Sequence, residues 1–148
     1  MDRKGVTLIE LIVVMVIIAI GALAVTPSIG TWITHFRLRS ATRDIASMLR
    51  TAQMKAVSNN IRYRVNFNAG ANSFVIEYQT TAGFKPDGSS QKLPSGVTIS
   101  DVDFSGGVDY AVFNVDSTAS AGHVTLTNTK GTQRIINVSS STGRVKVD

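Results

Sequence analysis

The sequence predicts an α+β protein in which a long N-terminal α-helix packs on an antiparallel β-sheet head. Three observations predict this class. The long aliphatic side chains concentrate in residues 6–29. An apolar period of three and four residues follows directly, and from about residue 62 the pattern changes to alternation. The chain has 148 residues, and beyond the helical stretch about 90 remain, enough for one small head that buries roughly 60–65% of its unfolded surface. The net charge of +5 is spread along the chain, so attraction to nucleic acid or anionic lipid is permitted without being shown. Cysteine is absent, which excludes a disulfide framework and thiolate metal sites.

The first element is the apolar helix half. Arg3 and Lys4 precede a run that starts at Val6 and continues past Gly21 to about Val25. Residues 8–25 as helix would reach about 27 Å, most of a ~30 Å hydrocarbon core. Basic residues before the run and none inside it predict a cytoplasmic N-terminus with the head across the membrane. Glu10 does not fit a plain anchor, because a carboxylate inside a span costs about 2.5–3.5 kcal/mol, less if it snorkels. One reading is an anchor with a tolerated interfacial acid. Another is a secretory signal peptide, with Leu11 to Ile20 as its apolar core and Ala22-Leu23-Ala24 as its cleavage site; it leaves Glu10 unexplained.

A third reading rests on Lys4-Gly5-Val6-Thr7-Leu8-Ile9-Glu10, which resembles the cleavage motif of type IV pilin-like proteins. The resemblance implies that prepilin peptidase cuts between Gly5 and Val6 and methylates the new N-terminus at Val6. Glu10 is then the fifth residue of the mature chain, where the family keeps a glutamate. Val6 itself departs from the phenylalanine or methionine usual at that place. The chemistry gives the glutamate a purpose. The freed amine and Glu10 are opposite charges at a membrane surface, and stacking lets each meet its opposite on a neighbouring subunit. One such pair can also set the axial register of an otherwise uniform apolar bundle.

The amphipathic half follows. Pro27 is placed to bend the helix. Beyond it Ile33, Ala41, Ile45, Met48, Leu49, Ala52 and Ala56 form one stripe, with Arg37, Arg43, Arg50 and Lys55 elsewhere. The helix should end near Ser58, stopped by Asn59-Asn60. The resulting organisation is a leader over residues 1–5, a transmembrane half over 6–30, an amphipathic half over 31–58 and a periplasmic β-rich head over 59–148. In the head, alternation predicts strands at 62–67, 74–78, 97–100, 110–115, 124–128, 133–138 and 144–147. Residues 82–95 read as a polar loop turning at Pro86-Asp87-Gly88, and Gly106-Gly107 as a turn. The helix stripe should cover one face of the sheet.

The order of elements narrows the resemblance. Leu49-Arg-Thr-Ala-Gln-Met-Lys-Ala56, Asn59-Asn60 and Arg64-Val-Asn-Phe67 are similar to the helix-to-strand junction of the GspH/FimT group of minor pilin-like proteins. Residues 137–147 are similar to that group's closing strand. The resemblance implies a structural subunit of a type II secretion pseudopilus or a type IV pilus in the inner membrane. Its partners would be other pilin or pseudopilin subunits, prepilin peptidase, membrane lipid and a secreted protein or DNA. Retention of Glu10 speaks against the outermost cap subunit, which lacks this acid.

Catalysis has little support in the residues. With no cysteine and only His35 and His123, the chain offers few bases for chemistry near neutral pH, and both histidines read as surface or packing residues. Asp101, Asp103 and Asp109 lack the acid density of a calcium loop. No catalytic, cofactor or metal site is therefore expected. DNA is the alternative partner. Arg62, Arg64, Lys130, Arg134, Arg144 and Lys146 lie on or beside strands and could share a face, binding phosphates without reading sequence. Some FimT-type pilins resemble this, using a C-terminal glycine-arginine-x-arginine motif. Gly143-Arg144-Val145-Lys146 keeps its charges but loses the second arginine's fork. The candidate DNA-binding residues are Arg144, Lys146, Arg134 and Lys130; the plain alternative is an edge strand guarded by basic side chains.

Overall fold

The structure, a computed structural model, describes residues 7–148 and, apart from 23–29, their side chains. Gly5 and Val6 lie outside the described residues. Helix α1 covers Leu8–Asn59 and is continuous through Pro27. It ends because Asn60 adopts φ 53°, a left-handed conformation that asparagine tolerates better than most residues.

By contacts the chain divides into two units, Met1–Ile33 and Thr34–Asp148. In the first, the aliphatic side chains from Leu8 to Ile20 are all exposed, from Leu8 at 78% to Ile12 at 49%. Among the described residues, nothing buries these side chains. The expected span over residues 8–25 is not met as such: among the described residues, no helix is long and apolar enough to cross a membrane. The described apolar stretch ends at Ala22, and the expected span runs on into 23–25, whose side chains lie outside the description.

In the second unit, α1 buries Leu38, Ala41, Ile45, Ala46, Leu49, Ala52 and Ala56. Their steps of three and four keep them on one face. Ile33, expected in this stripe, stays 36% exposed, and Leu38 takes the first place in the core.

Nine strands follow: β1 Tyr63–Asn68, β2 Ser73–Thr80, β3 Gly83–Pro86, β4 Gln91–Lys92, β5 Val97–Phe104, β6 Tyr110–Phe113, β7 Gly122–Asn128, β8 Gln133–Val138 and β9 Val145–Val147. They form two antiparallel sheets and not one. The first has the order β3-β2-β1-β6, with β4 also on β2; the second has the order β5-β7-β8-β9. Phe67 of the first stacks on Phe104 of the second at 6.1 Å between ring centroids, so the sheets share one core.

The expected loop over 82–95 is corrected as well. It holds β3 and β4, because Thr81 and Ala82 make a two-residue turn that returns the chain along β2 in the register Thr80↔Gly83. Gly83 supplies the φ of 125° that the return requires, and Thr80 Oγ1 donates to its carbonyl. Pro86 ends β3 on the sheet's edge, where a missing N–H costs nothing. Elsewhere the predicted strands are found, β8 over the expected residues and the others with shifted ends; β5 runs to Phe104 through an irregularity between Ile99 and Asp101.

Candidate assembly and processing site

Thr7 and Glu10 build the start of α1. The Glu10 backbone N–H donates to Thr7 Oγ1 at 3.3 Å, and the Leu11 N–H donates to the Thr7 carbonyl at 3.3 Å. Thr7 is thus the N-cap and Glu10 the third helical residue, the spacing of a capping box. A carboxylate here also faces the positive end of the helix dipole. The Glu10 side chain is exposed and takes part in no hydrogen bond or ion pair among the described residues. Every other residue from Leu8 to Ile20 is apolar, so one free carboxylate stands in an apolar surface. The role of Thr7 as a cap was missed in the sequence, although the Thr-x-x-Glu spacing before an apolar run is its signature.

Of the candidate DNA-binding residues, only Arg144 and Lys146 are brought together. In β8, Arg134 shares the inner face with buried Ile136 and Val138. Lys146 pairs in register with Asn137 and so lies on the other face. Lys146 is also engaged, its Nζ 2.6 Å from Asp148 Oδ1. That hydrogen bond holds the Asp148 carboxyl below the usual carboxylate range, helped by a second from Asn137. Arg144 shares a shallow depression with Lys146, Asn137 and Ser139. Lys130 sits in the β7–β8 turn, at the opposite end of β8 and roughly 20 Å away at ~3.3 Å per residue.

Arg64 is consumed inside the first sheet: its Nε lies 2.5 Å from Glu77 Oε2, and its guanidinium covers the rings of Phe84 and Tyr110. The expectation of one shared basic face is therefore corrected; strand parity and internal pairing scatter these cations. His123 Nε2 lies 2.9 Å from Asp101 Oδ2. Among the described residues no group of three or more His, Cys, Asp or Glu side chains is placed to hold a metal.

A long N-terminal helix, apolar at its start but for one capped glutamate and packed in its second half on a two-sheet antiparallel head, defines a pilin-like architecture. Solved structures share it. The minor pseudopilin EpsH from the type 2 secretion system of Vibrio cholerae superposes with a TM-score of 0.65 at 8% identity, covering 76% of this chain and 96% of that one. The type IV minor pilin FimU of Pseudomonas aeruginosa superposes with a TM-score of 0.59 at 17% identity, covering 77% and 90%. At such identities the likeness is one of fold. Comparison with curated proteins found no match. Residues 1–26 match the model of the prokaryotic N-terminal methylation motif. Residues 41–142 match the model of the type II transport protein GspH, and the chain belongs to that family.

Proposed function

We infer that this chain is a minor pilin-like structural subunit that joins a type II secretion pseudopilus or a type IV pilus. The observation that carries the reading is the free carboxylate of Glu10, held at the helix start in an apolar surface that the described residues leave exposed. Prepilin peptidase cuts between Gly5 and Val6 and methylates Val6. The apolar half of α1 holds the subunit in the inner membrane as a single pass, with the N-terminus cytoplasmic and the head periplasmic. On assembly, neighbouring helices cover the exposed aliphatic side chains. The Val6 amine of one subunit meets Glu10 of another, relieving two desolvation costs and fixing the axial step.

The methylation motif over residues 1–26 supports the processing step. The scatter of the basic side chains leaves DNA binding without comparable support. A Glu10→Val variant tests the mechanism. It should insert into membranes as the native chain does but enter filaments poorly, measured by its share in sheared or cross-linked filaments. Equal incorporation of both proteins would refute the charge pair.

A further inference from the structure

Four arginines of the head gather at one place. Arg39, Arg43, Ala46 and Arg50 follow at steps of four, three and four residues, which sets them on one face of α1. That face borders a groove of about 380 Å³ whose lining also includes Arg134 of β8 and Val147 of β9. Four guanidinium groups thus surround one depression, and no carboxylate lines it. Among the described residues Arg39, Arg43 and Arg134 form no hydrogen bond or ion pair, and Arg50 donates only to the Val145 carbonyl, at 3.3 Å. Four other cations of the head do have partners: Arg37 has Ser95, Lys55 has Asp87, Arg64 has Glu77 and Lys146 has Asp148. Like charges crowded in this way repel until an anion enters. Guanidinium forks suit carboxylates, which they bind through two parallel hydrogen bonds.

We propose that this groove docks an acidic segment of a neighbouring pilin-like subunit, its carboxylates held between Arg43 and Arg134 and flanked by Arg39 and Arg50. The proposal rests on the filament reading above, since packing in a filament brings such a segment within reach. Residues 39–50 extend about 16 Å along the helix axis, the length of about five residues of extended chain. Ala46 and Val147 offer apolar walls for the stems of glutamate side chains. Lys146 and Lys130 do not extend the row into a track for a nucleic-acid backbone.

The test uses full-length protein in detergent micelles, native and with Arg43→Gln and Arg134→Gln together. Fluorescein-labelled hexaglutamate is titrated at low salt by anisotropy, beside a labelled 20-base-pair duplex and competition by inorganic phosphate. The native chain should bind hexaglutamate, the double variant at least about tenfold more weakly, and duplex binding should not change with the substitutions. Equal hexaglutamate binding by both proteins overturns the proposal. So does a loss confined to the duplex, which assigns the groove to nucleic acid, or displacement of the peptide by phosphate at matching concentration, which makes it a small-anion site. If the double variant melts early, Arg39→Gln on the exposed helix surface replaces it, with the same direction of effect required. The assay needs neither peptidase nor filament, so its failure leaves the filament reading intact; the Glu10→Val experiment in turn leaves the groove untouched.

Discussion

Replacing Arg64 by methionine should cost the head about 3–4 kcal/mol. On the outer face of the first sheet, Arg64 ties four strands together. Its guanidinium carbon lies 4.2 Å from the ring centre of Phe84 in β3 and 4.7 Å from that of Tyr110 in β6, while Nε meets Glu77 of β2. Two cation–π contacts at a partly covered site contribute about 1 kcal/mol each. The Glu77 side chain is only 10% exposed, so removing its partner leaves a carboxylate poorly solvated. Breaking a fully buried pair costs about 3–5 kcal/mol. The 21% exposure of the Arg64 side chain admits water and lowers that to roughly 2 kcal/mol.

For a domain of this size the sum corresponds to a fall in melting temperature of roughly 10–20 °C. Thermal and guanidinium unfolding of the full-length protein in detergent, followed by circular dichroism, would measure it. The combination Arg64→Met with Glu77→Leu should recover about 2 kcal/mol of the loss, because no charge is then left stranded. A cost below about 1 kcal/mol for Arg64→Met, or a double variant no more stable than the single one, would refute the assignment of Arg64 to internal cohesion.

Two further changes test the head's architecture. A Cβ at Gly122 would collide with the Asp103 carbonyl and stand 2.6 Å from Phe104 Cα, so Gly122→Ala must push β5 off β7 and disturb the Phe67–Phe104 stack. A loss of about 2–3 kcal/mol in guanidinium unfolding is expected, and an unchanged midpoint would contradict the strand spacing. Lys55 Nζ lies 2.8 Å from Asp87 Oδ2, and that hydrogen bond raises the Lys55 pKa above its ordinary 10.5. A lysine raised on folding contributes stability that is complete below its unfolded pKa and lost as pH rises through the folded one. Both side chains are about a third exposed, so Asp87→Asn should cost at most about 0.5 kcal/mol near neutrality. The difference from the native chain should close on the alkaline side of the lysine range; a gap that persists there contradicts the pairing.

Much of the helix was legible because its signals are local. The buried stripe from Ala41 to Ala56 follows from three- and four-residue steps, and Asn60 ends α1 through its own backbone tolerance. The strands with alternating cores, such as β1 and β8, were legible for the same reason. β3 was not, because none of its side chains is buried and no apolar alternation marks it. Nor was the division into two sheets legible, since parity shows which side chains point inward but not that β1 pairs with distant β6 while β5 pairs with β7.

The site divides in the same way. Glu10 and its capping threonine lie within four consecutive residues, so their spacing is readable in the sequence. The arginine groove is half readable: the spacing of Arg39, Arg43 and Arg50 lies in the helix, but Arg134 reaches it only through the register of β8. The expected basic face failed at a point that parity could have shown. Arg134 lies two residues before Ile136 and four before Val138, so it belongs with the inward set, away from Lys146.

The central claim is that this chain is processed and assembled as a pilin-like subunit, and the N-terminus of the protein in its own membranes tests it most directly. Intact mass and the N-terminal peptide of the extracted chain should show a start at methylated Val6. A chain starting at Val25 would mean that the apolar segment is removed as a signal peptide, and the assembly mechanism built on Glu10 would fall with it.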